Sequence, residues 1–96
     1  MKLHQLQYFC AACRNGNITR AAAELHVSQP SISMAIRELE NEFGILLLQR
    51  NNKGFEITRE GTYFYERATV LLEQADELNQ MMCDMGNQRK RINLGI

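Results

Sequence analysis

The sequence has little of several features that mark particular protein classes. Its 96 residues carry 11 Lys and Arg against 11 Asp and Glu, so its zero net charge predicts no broadly basic, nucleic-acid-binding surface. It has one Pro, no Trp and 7% aromatic residues, yet 45% of its residues are hydrophobic, which excludes a disordered chain. A single domain of this length buries little more than ~60% of its unfolded surface. We therefore expect oligomerisation to stabilise it.

Long apolar runs and paired cysteines are also missing. No stretch approaches the ~20 apolar residues of a membrane span, and residues 1–16 lack the continuous apolar run of a signal peptide. Cys10, Cys13 and Cys83 are an odd number and too few for a disulfide scaffold, which fits a reducing compartment. We therefore expect a cytoplasmic protein without membrane association.

The zero net charge hides an uneven distribution along the chain. Residues 1–58 carry a net charge of +1, residues 59–88 carry −4, and residues 89–96 carry +3. An acidic segment therefore masks the positive charge on either side of it.

Apolar spacing and capping residues predict two helices at the start of the chain. The first covers residues 2–15, with apolar side chains three and four positions apart, and Gly16 follows where a helix favours a left-handed residue. The second is short, from about Ile18 to Leu25, with Asn17 as its N-cap.

A third helix is predicted after a break at His26 and Val27. Ser28 serves as its N-cap, Pro30 lies in the first turn where a missing N–H is harmless, and Gly44 ends it. Two helices joined by about three residues make a helix-turn-helix, whose second helix projects a polar N-terminal face into a DNA major groove. The stripe expected to be buried is Ile32, Ala35, Ile36, Leu39 and Phe43.

A β-hairpin is predicted after the third helix. Residues 45–50 and 55–58 read as two short strands, and the second strand alternates apolar and polar side chains. Residues 51–54, Asn-Asn-Lys-Gly, have strong turn chemistry. The hairpin would form a wing with Arg50 and Lys53 near its tip.

A long helix is predicted from about Arg59 to Gly86 or Asn87, with Thr58 as its cap. Such a helix is roughly 40 Å long, too long to lie on so small a domain without projecting. Its apolar residues step by four and three through three heptads, which favours a partner helix over packing on its own domain. The seam comprises Phe64, Ala68, Leu71, Ala75, Leu78, Met82 and Met85.

The last residues alternate like a strand that has nothing obvious to pair with. We therefore divide the chain into a winged helix-turn-helix (1–58), a linker and dimerisation helix (59–88), and a hinge (89–96). The hinge includes Ile92–Ile96, read as the first strand of a second domain missing from this sequence.

At these spacings the sequence resembles the N-terminal DNA-binding domain of LysR-type transcriptional regulators. No single piece is decisive, but the ordered set is highly specific and runs through almost the whole chain. The matching residues are Leu6, Tyr8-Phe9, Ile18-Thr19-Arg20-Ala21-Ala22, Leu25, Val27-Ser28-Gln29-Pro30-Ser31-Ile32-Ser33, Ile36, Leu39-Glu40, Gly44, Leu47, Arg50, Ile57-Thr58 and Gly61.

The resemblance implies a mainly α fold, a winged helix-turn-helix of three helices and a short hairpin followed by a long linker helix. In this family linker helices pair antiparallel in a homodimer, and a tetramer stays open for the full-length protein. An effector-binding domain normally follows, so a small-molecule effector would act only through that part. Two departures are Leu48, where the family usually has Phe, and Met34, where a longer polar or basic side chain is frequent.

The residues expected to bind DNA lie at the helix-turn-helix and the wing. Gln29 has an amide able to bond bidentately to adenine, and Pro30 and Ser31 fit a thymine methyl or a phosphate. Arg37 suits a phosphate, with an ion pair to a glutamate as its alternative, and Thr19 suits a phosphate or local capping. The full set is Thr19, Ser28, Gln29, Pro30, Ser31, Ser33, Met34, Arg37, Arg50 and Lys53.

The Cys10-Ala11-Ala12-Cys13 segment invites a redox or zinc interpretation. It lies mid-helix on the apolar face, whereas redox CxxC sites follow a strand at a helix start. A zinc site needs two further ligands, and only His4 and His26 are near in sequence. We expect two buried small apolar residues, no metal and no cofactor, and an exposed thiol at Cys83.

Sequence-specific binding of double-stranded DNA at a partly palindromic operator, as a dimeric transcription regulator, is the leading hypothesis. The alternative is a helical protein-interaction module that uses the heptad seam without binding DNA. A third hypothesis, an enzyme, is weak, and we predict no enzymatic activity, because the chain offers no paired His and nucleophile, no Gly-rich phosphate loop and no metal spacing.

Overall fold

A computed structural model describes residues 1–94, and side chains are described for residues 1–88. Four helices and one antiparallel hairpin follow one another along the chain. The mainly α winged helix-turn-helix with a long linker helix is confirmed. The elements are α1 Leu3–Asn15, α2 Ile18–Leu25, α3 Gln29–Phe43, β1 Leu48–Asn51, β2 Gly54–Ile57 and α4 Arg59–Leu94.

The predicted caps set the ends of the first three helices. The Asn17 side chain accepts a hydrogen bond from the Arg20 amide at 3.0 Å, and the Ser28 hydroxyl accepts one from the Ser31 amide at 3.3 Å. Gly44 ends α3 with φ 67°, a left-handed conformation that side chains rarely adopt. These local bonds fix where the helices start and stop, and therefore the geometry of the turn between α2 and α3.

That turn consists of His26, Val27 and Ser28. His26 has φ 57°, in the left-handed region, and the Val27 amide donates to the Ala22 carbonyl at 3.0 Å. Because α2 closes on this bond and α3 opens on the Ser28 cap, the two helices are joined without a loose loop. The arrangement is the predicted helix-turn-helix.

The core lies where α1, α2 and α3 meet, with the start of α4 closing it. Its largest fully buried side chains are Phe9, Ile32, Ile36, Leu39 and Leu47. Alanines on α1 and α2 are buried among them, which allows close helix contact. The α3 stripe is therefore buried as predicted except at its last member.

Phe43, predicted to be buried, is 42% exposed. It lies on the last turn of α3, one turn past the buried Leu39, and its ring packs against that of Phe64, with ring centroids 5.9 Å apart. A buried α3 stripe through Phe43 is therefore wrong.

Polar contacts of Gln5 and Arg14 help to tie α1 to its neighbours. Gln5 is buried, accepts from the Lys2 amide at 2.8 Å and donates to the Glu38 carboxylate of α3 at 2.7 Å. Arg14 forms an ion pair with Glu24 of α2, and this hydrogen bond lowers the pKa of the Glu24 carboxyl. A buried amide with both ends satisfied costs little and fixes the helix register.

The wing forms as predicted, but its first strand is shorter. Leu48 pairs with Ile57 and Asn51 with Gly54, so Asn52 and Lys53 make a two-residue turn. Residues 45–47, predicted as strand, lie outside β1. The Leu47 carbonyl accepts from the Thr58 amide at 3.1 Å, and Glu40 takes the Leu47 amide, so these groups bond outside the hairpin.

Helix α4 begins at the predicted cap and docks on the wing. The Thr58 hydroxyl accepts from the Gly61 amide at 2.9 Å and donates to the Leu46 carbonyl at 2.6 Å. Gly61 is buried against Leu47, and a Cβ there would overlap the Leu47 carbonyl oxygen. The absence of a side chain at Gly61 therefore lets α4 lie directly on the chain that leads into the wing.

Replacing Gly61 with alanine should destabilise the fold by about 1–3 kcal/mol, because the new methyl group would overlap the Leu47 backbone and crowd the Ile57 side chain. The control is Gly86→Ala, at a helical glycine with open space around it, which should be stabilising by up to ~1 kcal/mol. Urea denaturation followed by circular dichroism measures both. Equal midpoints for Gly61→Ala and the unmodified chain would show that α4 does not dock as described.

Helix α4 is longer than predicted. It continues to Leu94, so the expectation of an end near Gly86 and of a strand over residues 92–94 is wrong, and residues 95–96 lie outside the described part. A strand there has no neighbouring strand to bond, whereas helix satisfies its own backbone groups. Its 36 residues give ~54 Å of helix along a molecule 63 Å in its longest dimension.

Among the described residues, neither α4 nor any other helix is both long and apolar enough to cross a membrane.

Candidate nucleic-acid interface

The first turn of α3 presents an exposed polar face. Gln29, Pro30 and Ser31 are all exposed, and Met34, one turn further on, is 63% exposed. The opposite side of the same helix is fixed in the core through Ile32 and other buried residues. The helix therefore holds this face at the surface with no freedom to rotate.

The predicted contact residues fall on adjacent rows of that helix. Gln29, Ser33 and Arg37 are spaced four apart, and Pro30 and Met34 form the next row, so each row lies on one side of the helix. Ser33 is half-buried, while the others are exposed. A groove-binding helix needs such a continuous exposed strip over its first turns.

A cleft joins the helix-turn-helix to the wing. It has a volume of about 180 Å³ and is lined by Thr19 of α2, Gln29 of α3 and Arg50 and Phe55 of the wing, together with residues 16–18 at the start of α2. Three residues assigned to DNA contact from the sequence, Thr19, Gln29 and Arg50, therefore meet in one place, although Thr19 and Arg50 are 31 positions apart in the chain. Within the cleft, the Gln29 amide nitrogen donates a hydrogen bond to the Thr19 hydroxyl.

Ser28 is occupied mainly by the structure of the helix end. Its hydroxyl accepts from the Ser31 amide and also lies 2.7 Å from the Ser31 hydroxyl. The assignment of Ser28 to DNA contact therefore competes with its capping role, whereas Ser31 keeps an exposed hydroxyl beside it.

The basic residues of the interface are exposed. The Asn51 side chain accepts from the Lys53 amide at 2.9 Å, which orders the turn at the wing tip. Within residues 1–88, Arg37, Arg50 and Lys53 form no ion pair, so the glutamate alternative for Arg37 finds no support there. Their charges are available to an anionic partner.

The predicted linker seam divides into two parts. Leu71, Leu78, Met82 and Met85 are exposed, between 46% and 58%. Ala68 is 2% exposed and belongs to the domain's own core, so its assignment as a partner contact is wrong. Phe64 is half-buried against Phe9, with ring centroids 5.4 Å apart, and Ala75 is half-buried as well, so both are partly withdrawn from a partner.

Further apolar side chains of α4 are exposed. Met81 lies on the flank of the seam, and Val70 and Tyr63 are exposed as well, with Arg67 5.4 Å over the Tyr63 ring. An open groove of about 550 Å³ lies at the start of α4, lined by Phe43, Ile45, Arg59, Glu60, Tyr63 and Phe64. So much exposed apolar surface along one helix indicates an interaction face.

The CxxC cysteines are buried small residues on α1, as expected. Cys10 is buried and Cys13 half-buried, and burial raises the pKa of both thiols, that of Cys13 to about 12. Protonated thiols are poor nucleophiles and poor metal ligands. Cys83 is exposed, and residues 1–88 contain no group of three His, Cys, Asp or Glu side chains placed to hold a metal ion.

The part of the chain that forms this site matches a known protein family. Residues 3–62 match the family model described as bacterial regulatory helix-turn-helix protein, lysR family. The chain belongs to the LysR family. That match covers the helix-turn-helix, the wing and the first residues of α4.

Individual LysR relatives match over more of the chain. It is 46% identical over 72 residues to the transcriptional regulator ClcR of Pseudomonas putida, covering 75% of this chain and 24% of ClcR. It is 37% identical over 96 residues to BenM of Acinetobacter baylyi, covering all of this chain and 32% of BenM. The chain thus spans about a quarter to a third of the length of these relatives.

A solved structure of the BenM DNA-binding domain in complex with catB site 1 DNA is similar to this fold. The TM-score is 0.84 at 37% identity, with 90% of this chain and 97% of that chain covered. The match therefore includes the winged domain and most of α4.

Sequence reasoning missed two residues that position the LysR interface. The Glu40 carboxylate accepts from the Leu47 and Leu48 amides at 2.8 and 3.2 Å, tying the start of the wing to α3, the recognition helix of the helix-turn-helix. Gln5 ties α1 to that same helix. Glu40 stands in the Leu39-Glu40 part of the LysR resemblance, but nothing in the sequence showed that it bonds backbone seven residues later.

Proposed function

We propose that this chain is the sequence-specific, double-stranded-DNA-binding part of a LysR-type transcription regulator and acts as a homodimer. The observation that carries the proposal is the meeting of Thr19, Gln29 and Arg50 in one exposed cleft beside the recognition-helix face. Within residues 1–88, the basic side chains around that face, Arg37, Arg50 and Lys53, form no ion pair. A neutral protein with such a concentrated polar and basic surface is suited to a narrow, anionic target.

In the proposed complex α3 lies in the major groove. The Gln29 amide bonds the N6 and N7 edge of an adenine, and Ser33 and Met34 face neighbouring bases. Arg37 contacts a phosphate from α3, while Arg50 and Lys53 contact the backbone or the minor groove from the wing. Pro30 and Ser31 lie against a thymine methyl or a phosphate.

The dimer forms through the exposed part of the linker seam. Two recognition helices related by a two-fold axis require a partly palindromic operator, with half-sites one helical turn of ~10 bp, or a multiple, apart. The modest positive charge of each winged domain makes two subunits necessary for tight binding. The chain acts in the cytoplasm without catalytic activity or a cofactor, and an effector acts through a further domain.

Lys53→Ala should weaken specific and random DNA alike and lower the slope of log affinity against log salt by about one unit, because one phosphate contact is lost. Fluorescence anisotropy from 50 to 200 mM salt measures this. A change in base preference with an unchanged salt slope would remove Lys53 from the phosphate contacts.

The alternative function, a protein-interaction module built on the linker seam, makes a different prediction. Such a module would not bind a random duplex at low salt even at high micromolar concentration. An exposed seam is compatible with both functions, whereas DNA binding separates them. Binding of random duplex that weakens with salt supports the proposed function.

A further inference from the structure

The recognition helix and the helix before it share one side-chain hydrogen bond within the cleft. The Gln29 amide nitrogen, on the first residue of α3, donates to the Thr19 hydroxyl, in the first turn of α2. Both side chains are exposed. The bond therefore does not stabilise a core, and it lies where the DNA would lie.

The bond leaves Gln29 with the groups that adenine needs. An amide nitrogen carries two hydrogens, and one of them is used by Thr19. The second hydrogen and the amide oxygen stay free, and together they match the N7 acceptor and N6 donor of adenine. A glutamine without this bond rotates about its terminal torsion and presents either end to the groove.

Thr19 is well placed to hold the Gln29 amide in one orientation. It stands on a short helix whose inner face, Ala21 and Ala22, is buried and whose N-terminus is capped by Asn17. The cap bond goes to the Arg20 amide, so the Thr19 hydroxyl is not used in capping. A threonine also has few rotamers to lose.

The Thr19 hydroxyl has a second use. It accepts from Gln29, and its own proton is left to donate to a further acceptor. Arg50 lines the same cleft, so a DNA phosphate there would meet a cation and a hydroxyl donor together.

We propose that Thr19 is a positioning residue that sets the Gln29 amide for base reading while donating its own proton to a DNA phosphate. This inference rests on the proposed function, since it needs Gln29 to read a base. It assigns Thr19 a share in specificity, beyond the phosphate contact or capping expected from the sequence.

The test measures the affinity of the 96-residue chain for a duplex selected from a random pool and for duplexes substituted at each base pair of that site. Four proteins are compared: the unmodified chain, Gln29→Ala, Thr19→Val and Thr19→Ser. Valine keeps the shape of threonine without its hydroxyl, and serine keeps the hydroxyl. Circular dichroism melts of all four confirm that each is folded.

Gln29→Ala should reduce the ratio of affinities for the preferred and substituted bases at one base pair by roughly tenfold. Thr19→Val should flatten the preference at that same base pair by about fivefold, the value of one lost hydrogen bond, and weaken binding to all sites. Thr19→Ser, which keeps the hydroxyl, should show the same preference at that base pair as the unmodified chain. The double variant Gln29→Ala, Thr19→Val should show no less preference at that base pair than Gln29→Ala alone.

Two results would overturn the inference in distinguishable ways. If Gln29→Ala flattens a preference and Thr19→Val weakens all sites equally without flattening it, Thr19 is a phosphate contact only and the proposed function stands. If Gln29→Ala changes no preference, base reading by Gln29 fails, and the positioning role fails with it.

Discussion

Replacing both Leu71 and Leu78 with glutamine should convert the proposed dimer into a monomer. The two side chains, both on α4, are 46% and 58% exposed in the single chain. Glutamine has a helix propensity close to that of leucine and adds no charge, so the helix and the electrostatic attraction to DNA are preserved. Only the apolar contact between subunits is removed.

The expected effect is large because four leucines are changed in each dimer. A fully buried leucine contributes ~1.5–3 kcal/mol, and these are about half covered already, so each adds roughly half of that. The dimer is then weakened by about 3–6 kcal/mol, or a factor of about 10²–10⁴ in its dissociation constant. Affinity for DNA with two half-sites should fall towards that for a single half-site.

Sedimentation equilibrium measures the subunit association, and anisotropy with one-half-site and two-half-site duplexes measures the consequence for DNA. The matched control, Leu71→Met with Leu78→Met, keeps apolar side chains of similar volume and should remain dimeric. If the glutamine variant stayed dimeric at the same concentration, the exposed part of the seam would not be the subunit interface.

Gln29→Ala is expected to abolish discrimination at one base pair of each half-site, at a cost of ~1–3 kcal/mol per half-site. The residue is exposed at the first position of α3, and its amide is oriented by Thr19. Random-sequence DNA should bind almost as before, because the phosphate contacts of Arg50 and Lys53 are untouched.

Competition binding with sites substituted at single base pairs measures the discrimination. Gln7→Ala is a suitable control, since Gln7 is also an exposed helical glutamine but lines a different cleft, with Leu72 and Asp76 of α4. That control should keep both affinity and preference. An unchanged base preference in Gln29→Ala would remove this residue from the base contacts.

The features that the sequence predicted well are those with local causes. Asn17 and Ser28 cap the helices that follow them, and each bond reaches only three residues along the chain. The Asn52-Lys53 turn likewise depends on neighbours in sequence. Short-range chemistry of this kind is visible in the residue order itself.

The features that it predicted poorly depend on tertiary contact. The heptad pattern correctly placed apolar residues on α4, but a periodicity cannot tell which side of a helix faces its own domain. Ala68, predicted to face a partner, is buried in that domain, whereas Val70, outside the predicted seam, is exposed. Phe43 is exposed for the complementary reason, since the apolar pattern of α3 extends one turn past the core.

In the candidate site, too, local features could be predicted from the sequence and tertiary contacts could not. Residue type and position along the recognition helix were enough to select Gln29, Pro30 and Met34 as exposed. The contact of Gln29 with Thr19, and the approach of Arg50 to both, arise from the packing of α2 and the wing around α3. Glu40 helps to hold the wing against α3 by accepting from the Leu47 and Leu48 amides. These bonds span seven and eight residues, and no local sequence pattern predicts them.

The most direct test of the account is selection of bound DNA from a random pool by this chain. We expect an enriched site with two inverted half-sites, ~10 bp or a multiple apart, each containing a base pair whose preference is lost in Gln29→Ala. Enrichment of no sequence, or of a single unrepeated element with no symmetry, would contradict a dimeric, base-reading helix-turn-helix.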